Sequence, residues 1–227
     1  NDFIYDLAIT ANRPDGMSVV GIAREISALL ETKLTLPELK NTYKVNVYKN
    51  FDLCPEAITE NCLYSISQIE SVNGGKLSPR WLIDRLDKSG IKSINLLVDI
   101  TNYILLEQGQ PLHVFDKDKL TKLIGREVLP GDFSVRKANN NESLLCLNGE
   151  NYNLNGNITI VACDDKPVAI AGVIGGLETA VNEDTSSIFL EGAVFNPVSI
   201  RKSSKELGIR TESSSRYEKG ISSKNTI

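Results

Sequence analysis

A glutamate interrupts a segment that is otherwise apolar. Residues 188–195 predict a strand buried on both faces, and Glu191 lies near its centre. A carboxylate in such a strand needs partners, or its burial costs several kcal/mol. Two interpretations remain open. Glu191 either forms a structural ion pair with Arg210 or Arg216, or it faces a cavity and accepts a hydrogen bond from a ligand.

The only histidine of the chain, His113, follows a predicted helix end and is preceded by Pro111. This placement predicts a loop, and loops on a rigid scaffold often carry function. Imidazole can also exchange a proton near neutral pH. An isolated histidine is, however, often structural. Thr101 and Asn102 on the preceding helix, taken alone, indicate only a core-edge hydroxyl and a helix-side amide.

A glycine-rich run occupies residues 172–176, but its spacing does not match a phosphate-binding loop. It indicates either a structural strand or a strand that a ligand approaches closely. The sequence also lacks G-x-S-x-G, G-x-x-x-x-G-K-[ST], G-x-G-x-x-G and H-E-x-x-H. Serine-hydrolase, P-loop, Rossmann and zinc-protease functions therefore have no signature here.

Three helices are predicted around these residues from their start and stop signals. The first begins at Ser78-Pro79 and ends before Gly90, the second covers residues 94–108 before Gly109, and the third extends from Asn196 to Gly208. A further helix near the N-terminus, up to about residue 31, follows an extended segment at 3–10 and is capped by Asp15.

Strands are predicted at residues 63–72, 168–176 and 188–195, and short strands with turn signals follow residue 123. Neither a helix nor a strand is predicted for the hydroxyl-rich tail at residues 211–215. The predicted fold class is α+β: a β-rich domain with several packed helices, preceded by a short N-terminal helical segment. Residues 1–47 are expected to be the end of a small domain plus a linker, and residues 48–227 a second domain cut from a longer chain.

Composition limits the kind of protein further. The 227 residues are 41% hydrophobic and 24% charged, which is typical of a globular chain. The chain has neither an apolar run of about 18 residues nor a basic N-terminus, so a cytoplasmic location without a membrane is expected. A net charge of −4 argues against a surface that coats nucleic acid, but it permits contact with one RNA end.

The four cysteines contain no C-x-x-C pair, and with one histidine they make a zinc site improbable. They are expected to be reduced core thiols. These are Cys54, Cys62, Cys146 and Cys163.

Six motifs in order resemble the β subunit of bacterial phenylalanyl-tRNA synthetase. They are ITANRPD at 9–15, VDITNY at 98–103, GQPLHVFD at 109–116, AGVIGG at 171–176, LEGAVF at 190–195 and RTESSSRYEKG at 210–220. The first is similar to the end of the small N-terminal domain of that subunit. The others are similar to its central B3 and B4 domains.

The resemblance implies an editing site. In the family, the α subunit attaches phenylalanine, and a pocket at the B3/B4 junction hydrolyses tyrosine wrongly esterified to phenylalanine tRNA. The resemblance implies that His113, Asn102 and Thr101 hold the terminal adenosine and the attacking water. It also implies that Glu191 accepts the phenol proton. The remaining implied substrate-binding residues are Ala171, Gly172, Thr211 and Ser213.

The resemblance also implies partners and cofactors. The partners are the 3′ end of tRNA(Phe) and the α subunit in an α2β2 assembly, while ATP and Mg²⁺ are used by the parent enzyme and no cofactor by this segment. Two alternatives remain: a non-catalytic scaffold with a decayed pocket, and a free-standing editing protein, which is disfavoured by the expectation that both termini are cut from a longer chain.

The chain departs from the family pattern at two places. Ser213 replaces the usual alanine, which narrows the pocket and adds a donor, and Glu56-Ala57 replace the usual Arg-Tyr after Cys54-Pro55.

Overall fold

The structure, a computed structural model, describes residues 3–36, 47–49 and 63–222, and for 47–49 only the backbone. Sequence predictions on the linker, on the start of the second domain and on Cys54, Cys62 and residues 54–57 lie outside the described residues.

The described residues form an α+β fold, as predicted. The helices are α1 (Val19–Leu29), α2 (Arg80–Lys88), α3 (Leu96–Gln108), α4 (Lys117–Ile124), α5 (Pro197–Leu207) and α6 (Glu212–Tyr217). The strands are β1 (Val47–Lys49), β2 (Leu63–Ile69), β3 (Leu112–Asp116), β4 (Phe133–Lys137), β5 (Ser143–Leu145), β6 (Asn151–Asn153), β7 (Thr159–Cys163), β8 (Lys166–Ile170), β9 (Ile174–Gly175) and β10 (Ile188–Val194). None of the described helices has both the length and the apolar character that crossing a bilayer requires.

Two antiparallel sheets share one core. The first has the strand order β1-β2-β10-β3, and the second has the order β4-β7-β8-β9, while β5 and β6 form a separate hairpin. Three fully buried aromatic rings join the two sheets. Phe133 of β4 lies 5.4 Å from Phe115 of β3 and 5.2 Å from Phe189 of β10, measured between ring centroids. This contact fixes the first sheet against the second.

Capping residues and helix-ending glycines predicted most helix boundaries correctly. Gly109 ends α3 at φ +78°, Asn196 caps α5 with its side chain, and Gly208 ends α5 at φ +68°. The helix α2 begins at Arg80, with Pro79 as its N-cap rather than its first helical residue.

The predicted cap of α1 was wrong. Ser18 is the N-cap, because its hydroxyl accepts a hydrogen bond from the Gly21 N–H at 3.0 Å. Asp15 instead lies in the 3-10 turn Pro14–Gly16 and pairs with Arg13 at 2.8 Å. The helix itself agrees with the prediction.

Three other predictions need correction. Residues 168–176 form the hairpin β8–β9 rather than one strand, because Gly172 turns the chain at φ +65°. Residues 211–215 cap and begin α6. His113 lies on strand β3 rather than in a loop, since Leu112–Asp116 pairs with β10.

Both cysteines within the described ranges, Cys146 and Cys163, are buried free thiols, as predicted. Burial raises the pKa of Cys146 to about 11 and that of Cys163 to about 12, so both are inert thiols at neutral pH.

Candidate functional site

A cavity of about 470 Å³ lies where α3, the paired strands β3 and β10, the β8–β9 turn and the start of α6 meet. Seven of the eight predicted site residues contribute to its wall. These are Thr101, Asn102, His113, Gly172, Glu191, Thr211 and Ser213. The eighth, Ala171, is fully buried and does not line the cavity.

Glu191 and His113 are direct neighbours across two strands. In the register of β10 and β3, Glu191 pairs with His113, so the two side chains project from the same face of the sheet. Such partners have Cβ atoms about 4.5–5.5 Å apart. Pairing therefore brings the only histidine beside the unusual carboxyl, and both side chains line the cavity.

The Glu191 carboxyl is buried, with 6% of the residue exposed, and it is not part of an ion pair with any described residue. Its hydrogen-bond partner is the Tyr64 hydroxyl, which donates to Oε2 at 3.2 Å. Burial raises the pKa of Glu191 to about 7, and the hydrogen bond from Tyr64 partly opposes that rise.

The ion-pair interpretation of Glu191 was wrong, because both candidate arginines are engaged elsewhere. Arg216 pairs with Glu212 at 2.7 Å and donates to the Met17 carbonyl. Arg210 donates to the Ser215 hydroxyl at 3.3 Å. A carboxyl that faces a cavity without a cation is available to a polar ligand group.

His113 presents a nitrogen that lacks a protein partner. Its Nε2 is inaccessible to solvent and makes no hydrogen bond within the described part of the chain. Burial lowers the pKa of His113 to about 4, so the imidazole is neutral at physiological pH. A neutral imidazole can accept a proton from a bound water or hydroxyl group.

The imidazole is also held tightly. A Cβ at Gly175 would lie 2.7 Å from the His113 Nε2 atom and would also clash with Cε1, so only glycine fits beside the ring. The ring of Phe115 also packs edge-on against the imidazole, with 4.4 Å between ring centroids. Part of the glycine-rich run thus has a direct steric role at the candidate site.

Helix α3 supplies polar groups to the opposite wall. Thr101 donates its hydroxyl proton to the Val98 carbonyl at 2.7 Å, which leaves its oxygen as an acceptor. The Asn102 side-chain amide makes no hydrogen bond with another described residue and lines the cavity. Sequence reasoning alone did not distinguish this placement from a structural one.

The buried Asp99 anchors the start of α3. Its carboxylate accepts hydrogen bonds from the hydroxyls of Ser78 and Ser93, both at 2.5 Å, and from the Ile94 N–H at 2.9 Å. These bonds tie the helix that carries Thr101 and Asn102 to the segment before it. Sequence reasoning missed this role, although an acidic residue in the first helical turn is its usual signal.

The β8–β9 turn is fixed by steric and polar contacts. A Cβ at Gly172 would lie 2.9 Å from Tyr217 and 3.0 Å from Phe195. The Thr211 hydroxyl caps α6 by accepting from the Ser214 N–H, and it donates to the Val173 carbonyl at 2.9 Å. Thr211 therefore holds the turn, whereas the Ser213 hydroxyl makes no hydrogen bond with a described residue.

Sequence reasoning also missed two tyrosines. Tyr217 lines the cavity, and its hydroxyl donates to the Ala193 carbonyl at 3.1 Å. Tyr64 lies behind Glu191 and contacts it from the core side. Within the described residues, no group of three or more His, Cys, Asp or Glu side chains is arranged to hold a metal ion.

The sequence of this chain matches the model of one protein family. Residues 60–227 match the B3/4 domain family model, and the chain belongs to that family. The resemblance drawn from the six motifs is confirmed by relatives that cover the whole chain. A protein of Prochlorococcus marinus subsp. pastoris named phenylalanine–tRNA ligase beta subunit is 86% identical over 227 residues, which are 100% of this chain and 28% of that protein.

Two more relatives carry the same name. One, from a second Prochlorococcus marinus strain, is 76% identical over 100% of this chain and 28% of its own length. Another, from a Synechococcus strain, is 46% identical over 97% of this chain and 26% of its own length. The chain thus spans little more than a quarter of the length of these relatives.

Proposed function

We propose that this chain is the B3/4 segment of a phenylalanine–tRNA ligase beta subunit and that its cavity hydrolyses tyrosine esterified to tRNA(Phe). One observation carries the proposal: the buried Glu191 and the half-buried His113, neither of which has a charged partner among the described residues, line one cavity side by side. A carboxyl group can accept a hydrogen bond from a phenol, and a neutral imidazole can accept a proton from a reacting water.

Selection of tyrosine rests on Glu191. A synthetic site built for phenylalanine cannot strongly reject a substrate that only adds a hydroxyl. A second site that must hydrogen-bond this hydroxyl can reject the substrate lacking it by a factor on the order of 10⁴. Two pockets with opposite preferences therefore separate tyrosine from phenylalanine better than one pocket does.

Hydrolysis rests on His113 and the wall formed by α3. The ester between an amino acid and ribose is already activated, so a positioned water suffices without a covalent nucleophile. The neutral His113 imidazole would accept a proton from that water or orient it, and Asn102 and Thr101 would hold the terminal adenosine. Backbone N–H groups near Gly172 would face the oxyanion.

The remaining site residues take smaller parts in this proposal. Ser213 offers a hydroxyl to the substrate, and Thr211 acts by holding the turn that contains Gly172. Ala171 contributes only as the buried neighbour of that glycine. The partners are the 3′ end of tRNA(Phe) and the α subunit, to which the ATP- and Mg²⁺-dependent attachment of phenylalanine is assigned.

The proposal is tested with two esters. Tyrosyl-tRNA(Phe) and phenylalanyl-tRNA(Phe) are incubated with the chain, and in parallel with synthetase assembled from the full-length beta subunit. Release of tyrosine is expected to be at least a hundredfold faster than release of phenylalanine, since only tyrosine offers a partner to Glu191. Release of both amino acids at the uncatalysed rate, by both proteins, would establish the scaffold alternative instead.

A further inference from the structure

Tyr64 contacts the buried carboxyl from behind the cavity. On β2, Tyr64 lies opposite Ala193, and Ile66 lies opposite Glu191. Tyr64 is thus a diagonal neighbour of Glu191 on the same face, within reach of an aromatic side chain. Its hydroxyl donates to Oε2 of Glu191 at 3.2 Å. Glu191 lines the cavity and Tyr64 does not, so the carboxyl lies between the cavity and the phenol.

We infer that Tyr64 is a positioning residue for tyrosine selection: it engages Oε2 of Glu191 and so leaves Oε1 for the phenol of the substrate. This inference rests on the proposed function. Oε1 makes no hydrogen bond with a described residue, so the protein satisfies one carboxyl oxygen and leaves the other to a ligand. A single donor placed on the core side also restricts rotation of the carboxyl group.

Tyr64 further favours the charged form of Glu191. The titratable groups that face this carboxyl are Tyr64 on β2, His113 on β3 and Tyr217 on α6. The Tyr217 hydroxyl donates to the Ala193 carbonyl, and burial keeps His113 neutral. Burial, and then Glu191 itself, raise the pKa of Tyr64 well above its ordinary value, so Tyr64 keeps its proton and remains a donor.

The ionised carboxylate is the better acceptor for a substrate phenol, because a charge-assisted hydrogen bond is roughly twice as strong as a neutral one. With the pKa of Glu191 at about 7, the preference for tyrosine should rise as the pH increases through neutrality. Loss of the Tyr64 hydroxyl should raise this pKa and move the whole profile to higher pH.

The experiment uses synthetase assembled with the full-length beta subunit. The ratio of kcat/KM for tyrosyl-tRNA(Phe) to that for phenylalanyl-tRNA(Phe) is measured from pH 6 to pH 9, because the ratio cancels effects common to both esters. Tyr64→Phe is expected to lower the ratio about tenfold at pH 7. At pH 9, the ratio of this variant should return to near the wild-type value. Glu191→Gln, which cannot ionise, should show a low ratio at every pH.

Two controls separate positioning from packing. Tyr152→Phe removes a hydroxyl that is bonded to Asn148 in the β5–β6 hairpin, and it should leave the profile unchanged. Adding Tyr64→Phe to Glu191→Gln should lower the ratio no further if Tyr64 acts through Glu191.

The outcomes are distinct. The inference is overturned, while the editing function stands, if Tyr64→Phe shows the wild-type pH profile of the ratio. The same holds if Tyr64→Phe lowers the ratio by an equal factor at every pH. A wild-type ratio that does not change with pH overturns it as well, even if the Tyr64 variant fails to fold. A wild-type enzyme that does not distinguish the two esters refutes the proposed function, and the inference with it.

Discussion

Replacing His113 by alanine is expected to lower the rate of tyrosyl-tRNA(Phe) hydrolysis by 10²- to 10⁴-fold, the usual range for loss of a general acid or base. The reason is that the imidazole of His113 lines the cavity and is neutral at physiological pH. No other described residue in the cavity wall offers a base that is neutral and unpaired at physiological pH. The measurement is single-turnover deacylation with the assembled synthetase.

Two controls protect this result from a folding artefact. The His113→Gln variant has an amide donor of similar reach but no base, so it should hydrolyse tyrosyl-tRNA(Phe) almost as slowly as the His113→Ala variant. Aminoacylation with phenylalanine, which the proposal assigns to the α subunit, should remain within a fewfold of the wild-type rate. A His113→Ala enzyme that still hydrolyses the tyrosyl ester at close to the wild-type rate would exclude His113 from the chemistry.

Replacing Glu191 by alanine is expected to remove most of the preference for tyrosine and to leave part of the hydrolysis. Loss of a hydrogen bond to a charged group is worth about 1.5–3 kcal/mol, which corresponds to roughly 10- to 150-fold in the ratio of the two esters. This substitution leaves the proposed base, His113, in place, so the phenylalanyl ester should be hydrolysed at least as fast as by the wild-type enzyme.

Glu191→Gln is the matched variant, because it keeps the shape of the side chain and removes the charge. It should retain more of the preference than Glu191→Ala, since the amide oxygen can still accept one weaker hydrogen bond. If Glu191→Ala leaves the preference for tyrosine unchanged, Glu191 is a structural carboxyl and does not select the substrate.

Local signals made part of the fold predictable from the sequence. Gly109 and Gly208 end helices at positive φ, and Asn196 caps α5, because each of these features depends on a few consecutive residues. Glu191 was also recognisable, since a carboxylate in an apolar strand is unusual by composition alone. The ambiguity between an ion pair and a cavity could be resolved only by the arrangement of distant residues.

The missed features depend on contacts between distant segments. The register of β3 against β10 places His113 beside Glu191, 78 positions later in the chain, and no local pattern specifies that register. Tyr64 resembles any buried aromatic residue of an alternating strand until its hydroxyl is seen at Glu191.

Helix α6 was missed for a related reason. Its sequence, Glu212–Tyr217, contains three consecutive serines, which are weak helix formers. Tertiary contacts hold it instead: Thr211 caps its first turn and bonds Val173, and Arg216 reaches the Met17 carbonyl. Local propensity therefore gave the wrong answer where long-range hydrogen bonds decide the structure.

Recognition of the tyrosine phenol by Glu191 is tested most directly by a crystal structure with a non-hydrolysable, amide-linked tyrosyl-adenosine. We expect the phenol oxygen about 2.6–3.2 Å from Oε1 of Glu191, with the adenosine beside His113 and Asn102. A tyrosyl ring that lies outside this cavity, or a phenylalanyl analogue that binds there equally tightly, would contradict the account.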